Sequence, residues 1–542
     1  MDSTKNLLWY DHYKGAVYPL DLSVHPDSVR IQKLGQASCI GSTSKNIPSL
    51  VHICSNFIVR DSTLTKKAIS IVPTTLLLPL IQEALLSNKD RALNVLISHW
   101  SAETLSLKNL VPSIFSSILP LYDSEYLSNI VRRGVMCTTN LAHGVIHMLQ
   151  QKTSTSKLKY LDLTGYPTAE VMLEYITSSC MLAHSEQALV ERINKVMEYS
   201  ARSSQSYDFH NISYVLPQDS CLLIKLDAFV TSWSCYSALC KALKVSTFEN
   251  RNLRLCIQRL GVTCLGQSAI GLLLKQLDSE HLLGLQVKYN SLNRDEFVKL
   301  APVLKTLTNL TALDLSCNCI YFWDSEITCL AAADVFGSLR NLIRLDLSNS
   351  RIKTKLRRIL ADIHQPLQYL RLAGCTLTVS DITYLSLSHH TAGLRELILS
   401  ENNLGPAARN LCHLLTSCAS NLNILELQEC GLSDSHLRQL QDCFSQLEAL
   451  LYLNYADNIV SLEDGKNLTH TLARLHEMQV LRFSFPVELY GVEEGDSERW
   501  KTTFSKMLAE IVCEECDKVG KSKPLRLVLS ELEPAIQPME VN

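Results

Sequence analysis

The chain has 542 residues, a hydrophobic share of 46% and a formal net charge of -3, which together indicate a soluble protein with a large buried core. A balance this close to neutrality offers no basic field for nucleic acid or an anionic membrane, and no uninterrupted apolar segment predicts a signal peptide or a membrane span. Nineteen cysteines without a framework of spacings indicate reduced, buried thiols, so we expect a cytoplasmic protein, with the nucleus as an open alternative.

The N-terminal part divides into a segment without regular apolar spacing and a helical region. Residues 1–45 are rich in Ser, Thr, Lys and Gly, which predicts a mobile segment. The helical region, residues 46–150, begins with an apolar stripe at i, i+4, i+7 and i+8 that predicts a short helix carrying Leu50, Cys54, Phe57 and Ile58 on one face. A second helix is predicted to follow, with a proline near its first turn and the apolar residues Val72, Leu76 and Leu80.

Both stripes are similar to docking motifs of ubiquitin-ligase substrate receptors. The first, small-Leu-x-x-x-Cys-x-x-x-aliphatic, resembles the BC box that binds elongin C, and it is formed by Ser49, Leu50, Cys54 and Ile58. The second resembles the cullin-2 box and is formed by Val72, Pro73, Leu76 and Leu80. It lacks the Leu-Pro-x-Pro of a cullin-5 box. The alternative is that residues 49–85 are plain core or a cap on the first repeat.

Seven consecutive segments share the pattern Leu-x-x-Leu-x-apolar-x-x-Asn/Cys/Ser-x-apolar. They start 25 to 32 residues apart, at Leu282, Leu310, Leu342, Leu367, Leu394, Leu422 and Leu450. This is the upper end of the leucine-rich-repeat period, and the apolar spacing between strands leaves room for a helix. We therefore predict an α/β fold, a helix-backed leucine-rich-repeat horseshoe, over residues 281–530, with a tail at residues 531–542.

Irregular strands extend the predicted array in both directions. They start at Leu158, Leu223 and Leu253 before the regular repeats, and at Met478 and Leu525 after them. Residues 151–280 are therefore predicted to be degenerate repeats, interrupted at about 186–218 by a helix and an exposed Ser-rich loop.

Fixed positions in each repeat have a physical explanation. Leu313 and Leu315 are predicted to face the core from one strand, and Leu310 and Ile320 to close the same layer. The amides of the repeat asparagines are expected to bond the backbone of the next coil, a role that Cys375 and Cys430 share as small buried residues.

Charged residues between the core leucines are predicted to lie on the concave face. Basic residues occur early, at Lys288, Arg344 and Arg371, together with Asp314 and Asp346. The last three regular repeats carry acids, and these form the predicted target-binding surface for a basic segment of a partner: Glu396, Glu401, Glu426, Glu429 and Asp457. The alternative is an ordinary solvated surface.

Several segments resemble the PRAME family, and within it the leucine-rich repeat-containing protein 14 group. They include "VPTTLLLPLIQEALL", "LKYLDLTG", "LRRILADIHQPLQYLRLAGCTL", "LNILELQECGLSD" and "FPVELYG". The resemblance implies a horseshoe protein. It also implies either a substrate receptor bound to elongin C with elongin B and to cullin-2, or a regulator that sequesters a protein of NF-kappa-B or nuclear-receptor signalling. The receptor role carries over onto four residues of this chain: Leu50, Cys54, Pro73 and Leu76.

No constellation of catalytic chemistry accompanies the repeats. The chain contains neither Gly-x-x-x-x-Gly-Lys nor Gly-x-Gly-x-x-Gly, and its single Cys-x-x-Cys, at Cys513 and Cys516, has no second pair. His389 and His390 are expected in an exposed turn. We therefore predict an adaptor without a catalytic site, cofactor or metal, whose target is an unidentified protein.

Overall fold

A computed structural model describes residues 49–110, 124–150, 154–168, 172–177, 222–246, 253–490, 494–521 and 525–531. The predictions for residues 1–45, for the insertion at 186–218 and for the tail beyond residue 531 lie outside these ranges. Among the described residues, one compact unit ends at Leu285 and a second begins at Gln286.

The first unit starts with short helices and continues into parallel strands. Its helices α1–α7 are Leu50–Val59, Ser62–Ile69, Leu77–Leu86, Asp90–Ser98, Ser124–Gln150, Trp233–Ser246 and Gln267–Leu274. Its strands β1–β4 are Thr104–Ser106, Tyr160–Thr168, Leu222–Val230 and Leu253–Val262. The four strands pair in chain order and in parallel, so the three degenerate strands expected here are confirmed and β1 is an additional one.

The second unit is a helix-backed leucine-rich-repeat solenoid. After β5, Gly284–Gln286, its strands β6–β13 are Ala312–Asp314, Arg344–Asp346, Tyr369–Arg371, Glu396–Ile398, Ile424–Glu426, Tyr452–Asn454, Val480–Ser484 and Arg526–Ser530. Its helices α8–α15 are Arg294–Leu304, Glu326–Ser338, Leu356–Leu360, Val379–Leu387, Ala408–Cys418, Asp434–Ser445, Leu462–Ala473 and Glu494–Lys518. The strands β6–β13 pair in parallel and in chain order, as the repeat predicts.

Leucines set the register of this sheet. Leu313 pairs with Leu345, and each following strand places its central leucine opposite the last. Leu310, Leu315 and Ile320 are fully buried, which confirms the predicted core layer. The repeat that starts at Leu342 is the shortest, at 25 residues, and its helix α10 has only five residues because less chain separates its two strands.

The repeat asparagines bond the backbone of the preceding coil, so the prediction that they bond the next coil was wrong. Asn318 accepts hydrogen bonds from Asn290 N (3.1 Å) and Leu292 N (3.2 Å) and donates to Val287 O (2.6 Å). The asparagine lies where its own strand ends, and the nearest unpaired backbone at that point is the turn of the coil before it. The thiol of Cys430 donates to Leu399 O at 3.3 Å, which confirms that cysteine shares this role.

The residue before each of these positions adopts a left-handed backbone. The seven equivalent residues have φ between 54° and 63°, and they are Tyr289, Cys317, Asn349, Gly374, Glu401, Glu429 and Asp457. A left-handed residue turns the chain sharply out of the strand, and glycine and asparagine adopt it most readily. Most repeats have a residue other than glycine or asparagine at this position. The left-handed turn is therefore imposed by the buried, hydrogen-bonded asparagine or cysteine that follows, rather than by the backbone preference of the residue itself.

Three expectations about the chain are corrected by the structure. Cys412 and Cys443 form a disulfide with a Cα–Cα distance of 5.8 Å, because residues 31 apart fall on facing turns of α12 and α13. His390 is fully buried rather than exposed, and this burial lowers the pKa of its imidazole to about 4. The short helix α2, capped by Asp61, lies between the two predicted docking helices. It was not predicted because its sequence is mostly polar and shows no clear apolar periodicity.

In the part of the chain that the structure describes, no helix combines the length and the apolar character needed to cross a bilayer.

Candidate docking surfaces

Helix α1 turns its polar side toward the protein. Ser55 and Val59 are its buried residues, and Asn56 Nδ2 donates a hydrogen bond to Glu83 Oε1 on α3 at 2.7 Å. His52 Nδ1 lies 3.1 Å from the other carboxylate oxygen of Glu83, which is only 5% exposed. A buried carboxylate needs such partners, so Glu83 fixes the orientation of α1.

The opposite side of α1 presents apolar side chains to solvent. Leu50 is 76% exposed, Phe57 65% and Ile53 49%. Cys54 is also exposed, while Ile58 is half-buried. Ser49 caps the helix by accepting a hydrogen bond from His52 N at 3.2 Å. A surface helix normally buries its apolar stripe, so α1 has the inverse arrangement, which is typical of a partner-binding helix.

The cullin-box-like residues are only partly available at the surface. Pro73 is exposed, Leu76 is 39% exposed and Val72 is half-buried. Leu80 is 2% exposed, so the prediction that it docks a partner was wrong. After the 3-10 turn Thr74–Leu76, helix α3 begins at Leu77, and this phase points Leu80 into the core of the helical region.

Glu396 does not form part of an acidic target-binding surface, contrary to the prediction. It is 1% exposed, and both Arg371 Nε and Arg371 Nη2 lie 2.7 Å from its Oε1. Arg344 Nη1 lies 3.7 Å from its other oxygen. Two arginines from the two preceding strands therefore neutralise this carboxylate inside the protein, since a buried charge persists only when paired.

Glu426 is half-buried on the next strand, and its charge is also weakened. Burial raises the pKa of its carboxyl to about 7, although Arg371 and Arg482 favour the charged form. Burial and the neighbouring Asp314 raise the pKa of Asp346 to about 6. The sheet face near these strands therefore holds a network of buried or partly protonated carboxylates rather than a row of free charges.

The remaining predicted acids lie at the turns that follow the strands. Glu401 and Glu429 are exposed, and Asp457 is half-buried and accepts a hydrogen bond from Gln428 Nε2 at 2.6 Å. All three have the left-handed backbone of the repeat turn, with φ of 54° to 59°. They project from consecutive repeats at one edge of the sheet, and we name these three residues the acidic turn ridge.

Sequence reasoning missed Ile53 and Glu83. Ile53 falls outside the docking pattern, although it extends the same exposed face. The signal for Glu83 was present, because a glutamate at the centre of the apolar run "LLPLIQEALL" needs a buried partner. The partner residue itself is 27 positions away and could not be read from local spacing.

A family model described as the PRAME C-terminal domain matches residues 238–521, more than half of the chain. The chain belongs to the PRAME family. The PRAME-family chain is 27% identical to leucine-rich repeat-containing protein 14 of Xenopus laevis over 89% of its own length and 96% of that protein. It is 24% identical to the protein of the same name from Mus musculus, over 82% of this chain and 88% of that one.

Among solved structures, the PRAME-family chain is similar to the leucine-rich repeat-containing protein LegL7 of Legionella pneumophila. The match has a TM-score of 0.33 and 17% identity, and it covers 53% of this chain and 87% of that one.

Proposed function

We propose that this PRAME-family protein is the substrate-recognition subunit of an elongin and cullin-2 RING ubiquitin ligase. Helix α1 docks on elongin C, which elongin B accompanies, and the leucine-rich-repeat unit holds the target. Repeat solenoids act as protein-interaction scaffolds, which supports the general protein-binding role. The observation that carries the finer proposal is the outward apolar face of α1, with Leu50 76% exposed.

The energetics of α1 favour docking over a capping role. Burying a leucine or phenylalanine side chain contributes roughly 1.5–3 kcal/mol, so leaving Leu50 and Phe57 in solvent forgoes this stabilisation within the chain. A partner with a matching apolar pocket recovers it on binding. The helix is already ordered by Glu83, so little conformational entropy is lost when it binds.

Cullin-2 contact is proposed for the segment that follows α2. Ile71 is 82% exposed and Leu76 is 39% exposed, with the exposed Pro73 between them. Leu80 takes no part in this contact because it is buried. We expect Pro73→Ala combined with Leu76→Ala to weaken cullin-2 binding and to leave elongin C binding unchanged.

Co-purification with elongin C and elongin B tests the docking of α1. We expect Leu50→Ala to lower elongin C binding by about one to two orders of magnitude, because a pocket-filling leucine is lost. Leu387→Ala is the matched control, since Leu387 is 83% exposed on α11 in the other unit. Equal elongin C binding by wild type and a folded Leu50→Ala variant contradicts the proposal.

The alternative is a regulator that sequesters a signalling or transcription protein without a ligase. It predicts that elongin C is absent from the purified complex while a target is still retained. In that case the exposed face of α1 binds a different protein, and Leu50→Ala reduces capture of that protein instead.

The target-binding part of the proposal now rests on the acidic turn ridge. Glu401 and Glu429 are its exposed members, and a basic segment of a target fits their charge. We expect Glu401→Lys with Glu429→Lys to slow association with a basic target and to reduce its salt dependence. Elongin C binding serves as the control and should not change.

A further inference from the structure

An exposed surface of the second unit combines cations with aromatic rings. The guanidinium carbon of Arg351 lies 4.9 Å from the ring centroid of Tyr321, and Lys353 Nζ lies 5.7 Å from the ring of Trp323. Trp323 N donates a hydrogen bond to Arg351 O at 3.2 Å, and the Trp323 side chain is 45% exposed. We name these four residues the basic-aromatic surface.

The loop that carries Arg351 and Lys353 is fixed by a buried side chain and by hydrogen bonds to the next repeat. Ile352 is fully buried, and its N–H donates to Cys375 O at 2.8 Å. The carboxylate of Asp381, which is 1% exposed, accepts from Thr354 N at 2.8 Å and Leu356 N at 3.1 Å. With Ile352 pointing inward, its neighbours Arg351 and Lys353 are presented outward, and both are exposed.

The same loop has a strained backbone. Four non-glycine residues within six positions have positive φ: Asn349 at 63°, Arg351 at 27°, Lys353 at 31° and Thr354 at 68°. Elsewhere in the described residues, no window of six residues has as many. Such conformations cost free energy and persist only where the surroundings impose them, and they cluster at functional sites.

The charge of this loop is strongly positive. Residues 351–358, "RIKTKLRR", contain five basic side chains and no acidic one. Glu326 forms ion pairs with two of them, Lys355 Nζ at 3.4 Å and Arg358 Nη2 at 2.6 Å. The rings beneath Arg351 and Lys353 attract these cations but do not neutralise them, so their positive charge is available to an acidic partner.

Apolar side chains are exposed on the helix that follows Trp323. Ile327 is 70% exposed and Leu330 is 50% exposed, and they lie on one face of α9 because they are three residues apart. A partner that covers this region must therefore offer apolar groups in addition to negative charge.

We propose that the basic-aromatic surface docks an acidic amphipathic segment of a partner protein. Its carboxylates pair with Arg351 and Lys353, and its large apolar side chains cover Trp323 and the exposed face of α9. Exposed aliphatic side chains do not match a polynucleotide backbone, which favours a peptide over RNA. The loop is already ordered by its hydrogen bonds, which lowers the entropic cost of binding.

This inference goes beyond the proposed ligase function and does not depend on it. Elongin docking is proposed for α1 in the first unit, and the basic target segment for the acidic turn ridge. A negative result at the basic-aromatic surface therefore leaves both of those proposals in place.

Fluorescence anisotropy with the purified 542-residue chain tests the proposal. The probes are a labelled synthetic peptide of alternating Asp/Glu and Leu/Phe residues, its Asn/Gln counterpart, and single-stranded RNA of the same net charge. The main variant is Arg351→Glu with Lys353→Glu. Its matched control is Lys66→Glu with Lys67→Glu, which gives the same change in net charge at two exposed lysines of α2.

We expect the acidic peptide to bind the wild-type chain and the lysine control equally, and to bind the Arg351/Lys353 variant about tenfold or more weakly. Ile327→Ala with Leu330→Ala should also weaken it while leaving the salt dependence unchanged. Equal losses in the main variant and its control would overturn the proposal, because they indicate non-specific attraction. Tighter binding of RNA than of the peptide, or unchanged binding by a folded Arg351/Lys353 variant, would also overturn it.

Discussion

Asn56 donates a hydrogen bond to Glu83 at 2.7 Å, and this contact decides which side of α1 faces solvent. The carboxylate also accepts from Ser87 Oγ at 2.6 Å and contacts His52. Three polar groups thus converge on one buried acid, and the apolar stripe of α1 is left on the outside.

Replacing Glu83 by alanine should release α1 from the helical region. Removing the buried acceptor leaves the half-buried Asn56 amide without this partner, and an unpaired buried group typically costs about 1–3 kcal/mol, whereas the exposed His52 can bond water instead. We expect faster amide hydrogen exchange in residues 50–59 and weaker elongin C binding. Ser87→Ala is the control, because it removes one hydrogen bond to Glu83 from outside α1. Unchanged exchange in the Glu83 variant would show that apolar packing alone holds the helix.

Leu80 and Leu76 should respond differently to truncation. Leu80→Ala removes a buried side chain and is expected to lower the free energy of unfolding by about 2–5 kcal/mol. Leu76→Ala changes a partly exposed side chain and should cost less than about 1 kcal/mol. Denaturant unfolding of both variants measures the difference. Similar costs for the two would contradict the assignment of Leu80 to the core and of Leu76 to the surface.

Asn458→Ala should destabilise the solenoid more than Cys430→Ala. Asn458 accepts from Cys430 N and Leu432 N at 3.0 and 3.1 Å and donates to Leu427 O at 2.7 Å. Each buried group left unpaired costs about 1–3 kcal/mol, whereas the Cys430 thiol is a weak donor. Thermal unfolding compares the two variants. If Cys430→Ala were the less stable variant, apolar packing rather than hydrogen bonding would hold these turns together.

Stability should depend on pH through Glu426. Its folded-state pKa, raised to about 7, exceeds the ordinary value of 4.5, so the folded protein binds more protons than the unfolded chain between these values. The Glu426 contribution to the free energy of unfolding therefore falls as pH rises from about 4.5 to 7 and is level above that range. Glu426→Gln should gain stability relative to wild type over this interval. A difference that stays constant between pH 5 and pH 8 in the two melting curves would rule out the raised pKa.

Much of the second unit could be predicted from the leucine pattern. The strands at Leu313, Leu345 and Leu370 and the helices behind them follow from a periodic signal that is local in sequence. The same signal located the degenerate strands β2, β3 and β4. Each repeat buries its leucines against the next repeat in the same way, so the packing predicted for one repeat applies to all of them.

The availability of charged side chains was decided by tertiary structure. Glu396 and Glu429 were both predicted to lie on the target-binding surface, yet the first is buried between Arg371 and Arg344 and the second is exposed at a turn. Burial depends on residues from neighbouring repeats, 25 or more positions away, which a single repeat does not encode.

The position of α1 and the residues of its apolar stripe could be predicted from local sequence, because helical periodicity is a local property of Leu50, Cys54 and Phe57. The outward direction of this stripe depends on long-range contacts. A stripe has the same period whether it packs on the core or on a partner, and the choice was made by Glu83, whose buried carboxylate requires the polar side of α1.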